Sequence, residues 1–87
     1  MASDALAPAP ARWTARQGQY LSFIYDYTKV NRQPPSETDI ARFFGLAPPS
    51  VHRMVVELEE RGFLSRVPGA PRSLCVLVPR AELPELE

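Results

Sequence analysis

From Trp13 onward the chain turns apolar at helical intervals. Tyr20, Leu21, Phe23, Ile24 and Tyr27, with Thr28 beside them, recur every three or four residues, as one face of an α-helix requires. Thr14 and Gln17 supply a capping-box start, in which the threonine hydroxyl accepts the N–H of the third helical residue and the glutamine reaches back. The pattern predicts a first helix from Ala15 to about Val30. It stops at "NRQPPS", because a proline disfavours helical geometry in the residue before it.

Ser36 with Asp39 repeats the capping signature, and Ile40, Phe43 and Phe44 give a short apolar face that Gly45 closes. A second helix over Glu37 to Phe44 follows. The next stretch, "GLAPPSVHRMVVELEERGFL", opens on two prolines. Pro48, followed by another proline, is expected outside the helix, whereas Pro49 suits the first helical position, where its missing N–H has no partner in any case. The third helix is therefore predicted over about 49–61. Val51, Val55 and Leu58 form its inward stripe, and Gly62 ends it in a left-handed cap. Ser50, His52, Arg53 and Glu57 fall off that stripe and face outward.

Past Gly62 the period changes. "FLSRV" (63–67) and "SLCVLV" (73–78) are rich in strand formers, and "PGAPR" (68–72) between them carries turn residues and one cation. These features predict a hairpin over about 63–78 with Arg72 at its tip and Cys75 buried as a small strand residue. The expected fold class is mainly α with a small β-hairpin: a three-helix winged helix-turn-helix over 13–79. Residues 1–12, small and rich in Ala and Pro, read as a disordered leader, and 80–87 as an acidic tail.

At 87 residues, 45% of them hydrophobic, the chain has material for one modest core. The formal net charge is zero, which would argue against a polyanionic partner. Its distribution changes that picture. All ten basic residues lie between Arg12 and Arg80 against six acids in the same span, so residues 12–80 carry about +4 and the remaining acids sit in the end segments. Cys75 has no partner cysteine, and no cluster has metal-ligand spacing. With no Gly-rich phosphate loop and no activated nucleophile, no catalytic, metal or cofactor site is expected. Without a signal peptide or a long apolar run, the expected location is cytoplasmic.

The segments "TARQ", "QPPSETDIARFFGL", "SVHR", "ELEERGFL" and "PGAPR", in this order and spacing, make the chain resemble the N-terminal DNA-binding domain of LexA-type repressors. The resemblance spans roughly 13–78. It implies a winged helix that recognises duplex DNA, usually as a dimer, and represses transcription. It also implies base contacts at Ser50, His52 and Arg53, with Pro49 adjacent. LexA-type repressors carry a second, self-cleaving domain, for which this chain has no counterpart, so self-cleavage is not expected. The turn before the third helix is about one residue shorter than the family's.

The residues themselves point the same way. Arginine is the side chain best shaped to read guanine O6 and N7, which favours Arg53 over a mere surface pair with Glu57. Arg72 at a hairpin tip suits a phosphate. Ser36 and Thr38 open the second helix, whose positive end could receive another. Arg42, with Arg16 and Arg32, is a further cationic candidate, and Tyr25, off the main stripe, a candidate contact with a second subunit. The expected partners are double-stranded DNA and a second copy, with no membrane and no small-molecule effector. The alternative is a winged-helix docking module that binds protein. The acidic run Glu57, Glu59 and Glu60 and the apolar Leu83 and Leu86 suit that role.

Overall fold

The computed structural model describes residues 12–87, so the expected leader lies outside the described residues except for Arg12. Helix α1 runs Ala15–Asn31, α2 Glu37–Phe44 and α3 Pro48–Glu60, followed by strands β1 (Leu64–Ser65) and β2 (Cys75–Val76) and a 3-10 turn at Arg80–Glu82. The winged helix-turn-helix read from the sequence is the architecture observed.

Helix boundaries follow local chemistry. Thr14 Oγ1 accepts from the N–H of Gln17 at 3.1 Å, and Gln17 Oε1 accepts from the N–H of Thr14 at 2.9 Å. Arg32 then turns left-handed at φ +61° and donates its N–H to the Thr28 carbonyl, which ends α1 ahead of the prolines. The start of α3 corrects the expectation for Pro48. It is the first helical residue, with Ala47 as an extended N-cap that offers no side chain. The first N–H groups of any helix lack an intrahelical acceptor, so two adjacent prolines there remove no hydrogen bond. The Ala47 carbonyl takes the next two donors, from Ser50 at 3.0 Å and Val51 at 3.3 Å. At the far end Gly62, at φ +81°, donates to Glu59 and Phe63 donates to Leu58, a Schellman closure that only a left-handed residue allows without strain.

Tyr20, Leu21 and Ile24 of α1, Ile40 of α2, and Val51, Val55 and Leu58 of α3 are essentially solvent-free, and Leu64, Leu74 and Leu83 close the core from the hairpin side and the C-terminal segment. Each such side chain contributes about 1.5–3 kcal/mol relative to exposure. An aromatic layer extends this core: Tyr20 stacks on Phe44 at 4.7 Å and Phe23 on Phe43 at 4.4 Å, although Phe43 remains half exposed. Among the described residues, the two buried polar side chains are satisfied. Ser22 donates to the Pro84 carbonyl at 2.7 Å, and Gln17 donates to Glu57 at 2.9 Å.

The hairpin is shorter than its composition suggests. Its antiparallel register pairs Leu64 with Val76 and Ser65 with Cys75, and there the ladder ends. Beyond it the Ser73 hydroxyl replaces the ladder, accepting from the Val67 N–H at 3.0 Å and lying within hydrogen-bond reach of the Val67 and Ala70 carbonyls. Pro68 and Pro71 lack the N–H groups that a longer strand would need. The register also corrects the expectation for Cys75. Leu74 faces the core, so the next residue points out and the thiol is exposed.

Residues 80–87 lie along α1. Arg80 pairs with Asp26 at 3.1 Å, and Gln19 holds the Glu85 carbonyl and the Glu87 N–H, both at 2.8 Å. Pro84 and Trp13 close over Gly18, where a β-carbon would meet each at 3.0 Å. Among the described residues, no helix is long and apolar enough to cross a membrane, and no group of three His, Cys, Asp or Glu could hold a metal ion.

Candidate nucleic-acid interface

Gly45, at φ +67°, turns the chain between α2 and α3, and Leu46 donates back to Ala41 at 2.9 Å. This tight turn rolls the valine and leucine stripe of α3 into the core and leaves the opposite side of its first two turns in solvent. Pro49, His52 and Arg53 are exposed there and Ser50 half exposed. The sequence-derived candidates on α3 are thus gathered on one face.

Their surroundings differ. Arg53 has no ion pair among the described residues, because Glu57, four residues on, turns instead to Gln17 at 2.9 Å and to Arg61 at 3.6 Å. Ser50 does not cap its helix, that position being Ala47, and its hydroxyl has no partner among the described residues. The first turn of α3 contains no acid, and its positive dipole end therefore faces solvent uncompensated. Free amide donors are few, however: the two prolines have none, and Ser50 and Val51 serve Ala47. Arg42 in the last turn of α2 is exposed and makes no ion pair among the described residues.

His52 has a partner that the sequence reading missed. Its Nδ1 lies 3.1 Å from both carboxylate oxygens of Glu37, in the first turn of α2. Behind Glu37 stands Arg66, 4.0 Å away, which in turn holds Glu59 at 3.0 Å. A chain of charges thus links α2, α3 and the wing. The only hint in the sequence is an acid in the first turn of the helix before the turn, and it is the tertiary crossing of α2 over α3 that brings it to His52.

Ser36 and Arg72 are engaged inside the fold. Ser36 Oγ accepts from the Asp39 N–H at 3.1 Å, and Asp39 Oδ2 accepts from the Ser36 N–H at 3.0 Å. The same carboxylate oxygen accepts from the Tyr27 hydroxyl at 3.2 Å and from Arg72 at 2.9 Å. Arg72 reaches it from a left-handed backbone, φ +53°, and also donates to the Pro34 carbonyl at 3.2 Å. Its guanidinium therefore folds back from the hairpin tip onto α2. The Ser36 hydrogen bonds first, and then the Arg72 charge, hold the Asp39 carboxyl below its ordinary value. Thr38 is exposed in the first turn of α2, beside Glu37 and Asp39. Tyr25 is half buried and lines a shallow groove together with Leu74 and Val76.

Three helices, a glycine turn, a polar outward face on the third helix and a two-stranded wing define a winged helix-turn-helix protein. Comparison narrows the class. A family model described as the LexA DNA binding domain matches residues 11–73, and the chain belongs to that family. The chain is 41% identical over 69 residues to the LexA repressor of Thermosipho melanesiensis, covering 79% of this chain and 34% of that repressor. It is 42% identical over 69 residues to that of Thermosipho africanus, with the same coverage. Against the LexA repressor of Thermotoga neapolitana it is 38% identical over 63 residues, 72% of this chain and 32% of that protein. The chain spans about a third of the length of these curated relatives. Strand β2 and the segment packed on α1 lie beyond the family match.

Proposed function

We propose that this protein binds duplex DNA and regulates transcription by occupying a promoter site, most simply as a repressor. The observation that carries this reading is the face of α3: an arginine and a serine hydroxyl without partners among the described residues and a carboxylate-held histidine, side by side on a helix whose other face is core. Membership of the family supports it. In this reading α3 enters the major groove, with Arg53 donating to a guanine edge, Ser50 and His52 contacting neighbouring edges, and Pro49 packing beside them. Arg42 and Thr38 approach phosphates from α2. Ser36 fixes the start of that helix, and Arg72 reaches the backbone if it exchanges Asp39 for a phosphate. Such contacts fix register while the base edges supply sequence.

One module of this kind buries only about 600–1,000 Å² of protein on DNA, so two copies on adjacent half-sites are needed for useful affinity. No catalysis, cofactor or small-molecule effector enters the reading, and a DNA partner assigns the work to the cytoplasm. The competing docking-module reading loses part of its basis. Leu83 is buried and Leu86 half buried, while Glu57 and Glu59 are paired within the fold.

Salt dependence separates the two. With about four phosphates neutralised, affinity for a labelled duplex is expected to fall on the order of a hundredfold between about 50 and 200 mM salt. An affinity that stays flat across that range, or no binding at the lower salt, would contradict DNA binding.

A further inference from the structure

A carboxylate can only accept hydrogen bonds. The Nδ1 of His52 lies 3.1 Å from both oxygens of Glu37, so the hydrogen of a neutral imidazole sits on Nδ1. That assignment leaves Nε2, on the far side of a half-exposed ring, as an acceptor. Glu37 is itself held from behind. It sits in the first turn of α2, whose positive end favours its charge, and Arg66 of β1's flank stands 4.0 Å away, anchored by Glu59 at 3.0 Å. The ring's charged partner is thus Glu37 from α2, backed by Arg66 from the wing, and Arg53 is the next residue of α3.

We propose that Glu37 is a positioning residue for sequence readout: by holding Nδ1–H of His52 it presents Nε2 to the major groove as an acceptor and so selects, on the strand that Nε2 faces, a base whose edge offers an amino group. The amino groups available are N4 of cytosine and N6 of adenine, whereas guanine and thymine present acceptors at the corresponding edge. An acceptor facing an acceptor leaves both unpaired in a desolvated groove. This inference rests on the DNA-binding reading and adds to it a residue that touches no DNA. An acid beside the recognition face weakens attraction to phosphates, so its presence lowers general affinity while sharpening discrimination.

The test is selection of bound sequences from a random duplex pool by the wild-type protein and by Glu37→Gln, Glu37→Ala and His52→Ala, with circular dichroism melts of each. Wild type should enrich cytosine or adenine at one position, and His52→Ala should lose that preference. In Glu37→Gln the amide can donate as well as accept, so the tautomer is no longer fixed. The preference at that one position is expected to fall at least fivefold. The rest of the motif should stay, and affinity for random duplex should rise. Glu37→Ala, a better helix former on a partly exposed site, keeps the test decisive if the glutamine variant melts early. If either folded Glu37 variant retains the full preference, or if His52→Ala leaves the motif intact, the positioning role is wrong while DNA binding stands. If wild type enriches no motif, it is the DNA-binding reading that fails.

Discussion

Asp39 shows how one side chain can hold three parts of a small fold. Its Oδ2 accepts from the α2 N-cap, from Tyr27 on α1 and from Arg72 on the wing. The carboxyl titrates below its ordinary value of 3.8. A group whose pKa is depressed by folding adds stability that is complete above its unfolded value and is lost as pH falls through the folded one. Asp39→Asn should therefore lower the urea midpoint by a constant amount at about pH 5–7, with the gap to wild type closing below about pH 4. A gap that persists unchanged at the lowest pH at which both proteins fold would show that charge is not what Asp39 contributes. The capping half of this cluster was legible from "SETD" alone. The Arg72 half was not, because nothing in "PGAPR" reveals that the chain turns left-handed there and aims the guanidinium inward.

At the scale of elements, the helices were legible and the wing only partly so. Apolar spacing, two capping boxes and the glycines after α2 and α3 set the helix bounds to within about one residue, because those signals act locally. Pro48 was misread since the rule against helical geometry before proline is weakest in a first turn that has no hydrogen bond to lose. The β-hairpin composition of 63–67 and 73–78 overstated the strands, since strand propensity does not register that Ser73 and two prolines replace the ladder with side-chain bonds. So short a ladder leaves the wing dependent on its tethers. Arg72→Ala should raise amide exchange at Val67 through Ser73 by about tenfold while leaving the α1 and α3 amides unchanged. Uniformly faster exchange throughout the chain would mean that the latch supports global stability rather than wing position.

Taken whole, the molecule is a helical core closed on one side by the wing and on another by residues 80–87. That second closure was the least legible feature. An acidic, proline-containing end looks like a solvated tail, yet Leu83 fills the core, Pro84 covers Gly18 and Ser22 and Gln19 bind its backbone. Leu83→Ala is expected to cost about 2–5 kcal/mol, a large share of the stability of a small domain, measured as a lower urea midpoint. A loss under about 0.5 kcal/mol, the range of ordinary surface substitutions, would show that the segment does not stay packed in solution. With both closures in place, α3 presents a fixed face, and Arg53 at its centre makes no ion pair among the described residues. Readout by α3 is tested most directly by selection from a random duplex pool by wild type and Arg53→Ala in parallel. Wild type is expected to enrich a motif that Arg53→Ala relaxes at a guanine position, with the other positions retained. Identical motifs from the two proteins, or none from wild type, would contradict readout by the third helix.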